Sequence, residues 1–224
     1  MVMSVLRFSC FLLCLSLAVP LQARPVSVQV FDAQGQPVAG AVLSLAGKAT
    51  GTSAAVAVMD QIDKQFSPAV LAVATGTEVS FPNRDDIRHQ VYSFSPTKRF
   101  ELRLYEGTPS APVSFDQPGL VVLGCNIHDW MLGYVYVTDD PWFAVSDEQG
   151  RIQLNVPAGH YPATLWHPAL VDMQPIDAGL LQMGAAPIEL TLPVAVTAAL
   201  QPETPAPTPF ADAFRKAARA APQP

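Results

Sequence analysis

Turn-forming residues interrupt this chain too often for long helices to build it. Its 224 residues include 22 prolines and 13 glycines, and short valine-rich runs lie between them. One run, Thr77–Phe81, places valine and phenylalanine on one face and glutamate and serine on the other, a period of two that indicates a half-buried strand. Short strands at this spacing predict an all-β fold, with a Greek-key sandwich or barrel as its architecture.

Turn residues also mark the boundaries of the expected strands. A first pair of strands is expected within Val26–Ala46, around a turn at Gly35. The other predicted strands are Ala55–Ile62, Val70–Ala74, Thr77–Phe81, His89–Phe94, Phe100–Tyr105, Val113–Phe115, Leu120–Gly124, Leu132–Thr138, Arg151–Val156, Tyr161–Trp166 and Ile188–Leu192.

The first residues have the pattern of a secretory signal peptide. A short head with one positive charge precedes the apolar run Ser9–Val19, and Ala23 supplies a small residue for cleavage. That run is shorter than the roughly 20 residues that a membrane-spanning helix needs. We therefore expect residues 1–23 to be a signal peptide and the protein to be periplasmic, without a membrane span.

The cysteine count then singles out one residue. Cys10 and Cys14 fall within the predicted signal peptide, so Cys125 is alone in the rest of the chain. An oxidising compartment favours paired cysteines, and a single one needs an explanation. Two remain open from the count alone: a buried free thiol or a thiolate bound to a metal.

The charge balance and the sequence motifs narrow the range of possible functions. Outside the predicted signal peptide, 12 basic residues (13 less one) stand against 19 acidic ones, and no basic run suggests a nucleic-acid partner. No Ser/His/Asp set or phosphate-binding motif is visible, so we do not expect an enzyme. The pairs Asp85-Asp86 and Asp139-Asp140 are interpreted as solvated loop ends.

The segment from Cys125 to Met131 carries the strongest chemical signal. A thiolate, the imidazole of His128 and a thioether fall within seven residues, between two predicted strands. Two imidazoles, one thiolate and a weak methionine ligand form the donor set of blue-copper electron-transfer sites. His89, at the head of a predicted strand, is the candidate second imidazole. The remaining histidines, His160 and His167, lack nearby sulfur or paired carboxylates, so we expect no metal role for them.

With these residues in place, the segment Ala55–Thr138 resembles the small type 1 copper proteins amicyanin, pseudoazurin and plastocyanin, the cupredoxins. The resemblance implies one copper ion bound by His89, Cys125, His128 and Met131. It also implies that Asn83, six residues before His89, ties the two ligand loops together near the cysteine sulfur.

The resemblance implies one-electron transfer between periplasmic redox proteins, with a cytochrome or a dehydrogenase as partner and a monomer as the working unit. Two alternatives stay open: a copper carrier or sensor, and an interaction module that uses no metal. The chain also resembles periplasmic proteins labelled "methylamine utilization protein", through Phe81-Pro-Asn83, Gly124–Met131 and Trp166-His-Pro168.

The flanks of the copper-binding segment resemble a second module. Val38–Ala41, Gly150–Leu154 and Val156–Tyr161 are similar to the regulatory-like β-sandwich of carboxypeptidases. This predicts that residues 25–54 and 139–195 form one sandwich, with the copper-binding domain, residues 55–138, inserted between its strands. The Pro/Ala-rich residues 196–224 are expected to be a disordered tail.

Overall fold

The described residues are almost entirely β-structure. The computed structural model describes residues 24–48, 56–109, 111–184, 186–197 and 199–201. Within them lie 17 strands and one short 3₁₀ turn (Val171–Met173), and no helix has the length and apolar character to cross a membrane. The all-β prediction is confirmed. The predicted signal peptide, residues 1–23, lies outside the described residues.

The strands are short, as the frequent turn residues require. In chain order they are β1 (Arg24–Phe31), β2 (Val42–Leu45), β3 (Ala57–Val58), β4 (Asp60–Ile62), β5 (Gln65–Ser67), β6 (Val70–Ala74), β7 (Thr77–Ser80), β8 (His89–Ser93), β9 (Phe100–Tyr105), β10 (Val113–Phe115), β11 (Gly119–Gly124), β12 (Leu132–Thr138), β13 (Trp142–Val145), β14 (Arg151–Val156), β15 (Gly159–Trp166), β16 (Ile176–Met183) and β17 (Ile188–Thr191).

The middle of the chain forms a sandwich of two main sheets, which we call the inner sandwich (β3–β12); β4 and β5 form a separate two-stranded sheet within it. One sheet has the strand order β6-β12-β11-β8-β9, and the other has the order β10-β7-β3. The alternation predicted for β7 is present: Val79 and the following Phe81 are buried, whereas Glu78 is exposed. The apolar side chains of the two sheets form one buried cluster, which also contains Cys125 and Met131.

Strands from both ends of the chain combine into a second sandwich, which we call the outer sandwich (β1, β2 and β13–β17). Its sheets have the orders β14-β1-β17 and β13-β2-β15-β16. β1 pairs antiparallel with β14, and β2 pairs with β15 and β13. One apolar core joins the valines of β1 to Ile152, Leu154 and Leu165. The inner sandwich is thus inserted between strands of the outer one.

An apolar interface joins the two sandwiches. The ring centroid of Trp166, in β15, lies 5.9 Å from that of Tyr134 and 5.5 Å from that of Tyr136. Both tyrosines lie on β12, the strand that follows Met131. Val42 and Val70 complete this buried cluster. The sheet that presents the candidate ligands therefore packs its other face against the outer sandwich.

Three sequence predictions differ from the structure. Ala55–Ile62 does not form one strand: β3 pairs with β7, whereas β4 turns away to pair with β5. The strands β5, β13 and β16 were not predicted; β16 contains Gly179, and its alternation of exposed and half-buried residues is interrupted there.

The boundary of the predicted disordered tail is also wrong. The backbone N–H of Val196 donates to Asp32, and the amide of Gln201 exchanges hydrogen bonds with both backbone groups of Phe66. The side chain of Leu200 lies so close to Gly40 that a Cβ there would be 2.6 Å away. The first residues of the tail are therefore packed, and residues 202–224 lie outside the described residues.

Candidate metal centre

Strand pairing brings the candidate ligands to one end of the inner sandwich. β8 runs antiparallel to β11, with Tyr92 opposite Gly124, so the start of β8 extends past the end of β11. His89 occupies that start, and Cys125 follows that end. β11 and β12 are antiparallel neighbours, so the loop between them, with His128 and Met131, closes over the same end.

A glycine permits the close packing beside the cysteine. A Cβ at Gly124 would lie 2.8 Å from the ring of Tyr92, closer than real side chains approach. Any larger residue would push the ring or the strand away. The glycine before Cys125 thus lets β8 and β11 approach where the ligand loop begins.

Three donor atoms converge in a buried pocket. Sγ of Cys125 lies 3.7 Å from Nδ1 of His89 and 3.9 Å from Nδ1 of His128. All three atoms lie within 4.8 Å of one another, and all three residues are buried. Donors bound about 2.0–2.3 Å from one ion in a trigonal arrangement lie about 3.5–4 Å apart. The spacing therefore fits a single metal ion, and the His₂Cys set fits copper.

Met131 belongs to the same buried core. Its side chain has no exposed surface, and it packs in the apolar cluster that includes Cys125. Its backbone N–H donates to the carbonyl of His128 at 2.9 Å, a contact that tightens the ligand loop. The structure thus places Met131 in the same apolar core as Cys125, and its role as a weak fourth ligand stays a prediction.

Asn83 organises the segment that leads to His89. Its side-chain N–H groups donate to the carbonyls of Ile87 at 2.8 Å and Tyr105 at 3.0 Å, and its oxygen accepts from the N–H of Asp85. These bonds hold the His89 side of the centre. The role expected from the resemblance, a link between both ligand loops, stays a prediction.

A carboxylate that the sequence interpretation assigned to solvent lies at the centre. Oδ2 of Asp85 is 2.7 Å from Nε2 of His89, whereas Asp86 is exposed as expected. Burial would raise the pKa of Asp85, but hydrogen bonds from the N–H groups of Lys64 and Asp63 and from the His89 ring outweigh it and lower the pKa. Its position four residues before the histidine was the only sequence signal, and a weak one.

A second correction concerns Asp140, which was also assigned to solvent. It accepts a hydrogen bond from the hydroxyl of Ser44 at 2.5 Å. Ser44 lies on β2 and Asp140 lies just after β12, so this bond joins the outer sandwich to the inner one.

A polar network that the sequence did not reveal supports the same end of the fold. The hydroxyl of Tyr105 donates to the carbonyl of Phe81 at 2.7 Å and accepts from the amide of Gln61. Burial raises the pKa of Tyr105 to about 12. The tyrosine is therefore neutral at physiological pH and fixes β9 against the segment before His89.

The electrostatic surroundings of His128 favour the neutral form of its imidazole. Burial lowers the pKa of His128, and the neighbouring His89 and Lys64 side chains lower it further, against the opposing effect of Asp85. A neutral imidazole has a lone pair available for a metal ion at neutral pH.

The other two histidines lie elsewhere. His160 is exposed on β15. His167 is buried, but Nε2 lies 3.2 Å from the carbonyl of Ala39, and Nδ1 accepts from the N–H of Ala169 at 3.1 Å. Since both ring nitrogens of His167 are occupied by the backbone, the residue has no donor for a metal.

Comparisons with known proteins add solved copper proteins at low similarity. No protein-family model and no curated protein matches the chain. A copper-containing nitrite reductase from Thermus scotoductus SA-01 matches with 24% identity over 42% of this chain, at a TM-score of 0.36. The chain spans only 25% of that reductase's length.

Two smaller proteins are matched over almost their whole length. A purple cupredoxin from Nitrosopumilus maritimus shows 22% identity over 37% of this chain and 99% of its own, with a TM-score of 0.33. The reduced Cu(I) form of a proline-to-glycine mutant of amicyanin shows 18% identity over 43% of this chain and 98% of its own, with a TM-score of 0.34.

The class of this domain follows from its own fold and donor cluster. The inner sandwich has two sheets, and a buried His₂Cys cluster lies where β8, β11 and the loop after β11 meet. We therefore describe it as a cupredoxin-like β-sandwich with a candidate copper centre.

Proposed function

We propose that this protein is a periplasmic type 1 copper protein that transfers single electrons between redox partners and transforms no substrate. The observation that carries the proposal is the convergence of three buried donor atoms from His89, Cys125 and His128 within 4.8 Å of one another. A copper ion bound there would supply a one-electron redox centre. We also propose that the protein is related to the periplasmic proteins labelled "methylamine utilization protein", but we infer no substrate from that label.

The four candidate side chains would bind the ion with different strengths. We assign Cys125 and the two imidazoles as the strong ligands and Met131 as the weak axial one. Two sulfur donors suit the reduced ion, and the imidazoles suit both oxidation states. Because the ligands are held by strand pairing and a closed loop, they would keep their positions when the charge of the ion changes.

His128 is the ligand best placed for contact with a partner. Its side chain is 8% exposed, whereas His89 has no exposed surface. Ile127 beside it is 46% exposed, and the ring of Trp130 lies 4.9 Å from the imidazole. We propose that a cytochrome or a dehydrogenase docks on this apolar end of a monomer and exchanges electrons through His128.

The rival function is copper delivery, in which the ion is surrendered to an acceptor protein. A carrier is expected to offer exposed methionine and histidine ligands. Here the four candidate side chains are 0–8% exposed, and release of an ion requires opening of the packed loop. Burial therefore favours retention over delivery.

Copper loading of the exported form tests the proposal. We expect one copper per chain and the intense visible absorption of a bond between Cu(II) and a cysteine thiolate. Cys125→Ser removes the thiolate and should abolish the colour, whereas the matched surface variant His160→Ala should keep it. A colourless wild-type protein that has been loaded with copper would disprove the type 1 site.

A chelator then separates electron transfer from delivery. The coloured protein is reduced and reoxidised through several cycles with a moderate Cu(I) chelator present. Full recovery of colour supports electron transfer. Loss of copper within seconds of reduction, with retention of Cu(II), would replace electron transfer by delivery.

A further inference from the structure

The loop residue Asp85 contacts the side of His89 that faces away from the cysteine. Its Oδ2 atom lies 2.7 Å from Nε2 of His89, whereas Nδ1 of the same ring lies 3.7 Å from Sγ of Cys125. The His89 side chain is fully buried, and that of Asp85 is 12% exposed. One imidazole therefore joins the metal centre to a carboxylate through its two nitrogens.

The turn between β4 and β5 holds this carboxylate in place. Oδ1 accepts from the N–H of Asp63 at 2.7 Å, and Oδ2 accepts from the N–H of Lys64 at 2.9 Å. Both turn residues have left-handed backbone conformations, with φ of 54° and 60°. Successive N–H groups in such turns form a concave site for anions. The backbone thus presents two donors to Asp85 before the histidine supplies a third.

These contacts determine which nitrogen of His89 carries the proton. A carboxylate with N–H donors on both oxygens acts as an acceptor, so the hydrogen between Asp85 and His89 belongs to Nε2. Nδ1 then keeps its lone pair, directed toward the metal centre. A doubly protonated His89 would instead carry a hydrogen on Nδ1 and could not bind a metal there.

We propose that Asp85 is a positioning residue for the copper centre, which fixes His89 in the Nε2–H tautomer and strengthens electron donation from Nδ1. Carboxylate partners of metal-bound histidines orient the ring and raise its basicity. A more basic ligand stabilises Cu(II) relative to Cu(I), so Asp85 lowers the reduction potential. The inference rests on the proposed copper function.

A pair of neighbouring variants tests the effect on the bound metal. Asp85→Asn keeps the size of the side chain but removes its charge, and Asp86→Asn removes the same charge from an exposed neighbour. In redox titrations of the copper-loaded proteins, Asp85→Asn should raise the Cu(I):Cu(II) ratio at a fixed ambient potential about tenfold, comparable to the lower end of the roughly 10–100-fold effect of such partners on metal affinity. Asp86→Asn should stay close to the wild type.

The tautomer itself is measured without copper. Nitrogen-15 NMR of the metal-free protein should show His89 protonated at Nε2 in the wild type and in Asp86→Asn. In Asp85→Asn, the Nε2–H signal should lose the change in chemical shift that the hydrogen bond to the carboxylate causes. Signals of the Nδ1–H tautomer should appear. Thermal unfolding of each variant shows whether the fold is kept, and Asp85→Ser replaces Asp85→Asn if it is not.

The proposal is overturned if either the Cu(I):Cu(II) ratio or the tautomer is the same in the Asp85 and Asp86 variants. Failure of the proposed function has a different signature, because the wild-type protein itself would then bind no copper or stay colourless. The NMR measurement would still decide whether Asp85 sets the state of His89.

Discussion

The two sandwiches each bury a histidine near a strand end, but they use it in opposite ways. His89, in the inner sandwich, has 0% exposure and turns Nδ1 toward a thiol and a second imidazole. His167, in the outer sandwich, is 1% exposed and gives both nitrogens to the backbone. Burial alone therefore does not mark a metal ligand. The informative feature is a ring nitrogen left free and aimed at other donors.

The same contrast extends to the loops around each histidine. In the inner sandwich the loop between β11 and β12 brings two sulfur-containing residues and an imidazole into the buried core. In the outer sandwich the segment after β15 closes on itself, where the N–H of Leu170 donates to the carbonyl of His167. The two sandwiches thus differ in their loops: one groups side-chain donor atoms together, whereas in the other the backbone occupies both imidazole nitrogens.

Alanine substitution of the two histidines should give the largest difference. His89→Ala removes a ligand and should weaken copper binding by more than about 100-fold, with loss of colour. His167→Ala should leave copper binding unchanged but lower the free energy of unfolding by about 1–3 kcal/mol, because a backbone carbonyl and an N–H lose their partner. Copper titration and urea unfolding measure the two effects. Loss of copper binding in His167→Ala would contradict the assignment of His167 to a purely structural role.

The pH dependence of stability should depend on the outer histidine. Burial lowers the pKa of His167 from 6.5 to about 4, so an unfolded chain takes up its proton first as the pH falls. The free energy of unfolding should therefore decrease between about pH 6.5 and pH 4, by at most about 3 kcal/mol from this residue, and be unaffected by it above pH 6.5.

Urea unfolding of metal-free protein across that pH range measures this effect. His167→Gln should flatten the decrease, whereas the exposed His160→Gln should leave it as in the wild type. The histidines of the metal centre are present in both variants, so their titration cancels in the comparison. Equal slopes in the two variants would show that folding does not lower the pKa of His167.

The smallest expected effect concerns the segment that touches both sandwiches. Gln201→Ala removes the hydrogen bonds to the backbone of Phe66 in β5, which should cost about 1 kcal/mol of unfolding free energy. The colour should be unchanged, because this contact orients no ligand. Gln34→Ala, at an exposed turn position, is the matched control. A change of the copper spectrum in Gln201→Ala would show that the two sandwiches are coupled at the metal centre.

The local part of the centre could be predicted from the sequence. Cys125 and His128, which the structure brings together, fall within one short loop between two recognisable strands, so their meeting depends on few residues. Met131 lies in the same loop, and its part in the centre stays a prediction. The all-β class was likewise readable, because turn residues and the alternation of Thr77–Phe81 act over a few positions. Asn83 was identified through the resemblance to a known family rather than through a sequence pattern. Its hydrogen-bond partners were not predicted.

The remaining features of the centre depend on contacts between distant segments. The meeting of His89 with Cys125 follows from the pairing of β8 with β11. The proton position that we infer for His89 depends on Asp85, and that residue is held by a turn some 20 residues earlier. His167 is excluded as a ligand by Ala39, which is 128 residues away. Sequence patterns report local geometry, whereas the free or occupied state of a buried nitrogen is set by whichever distant backbone packs against it.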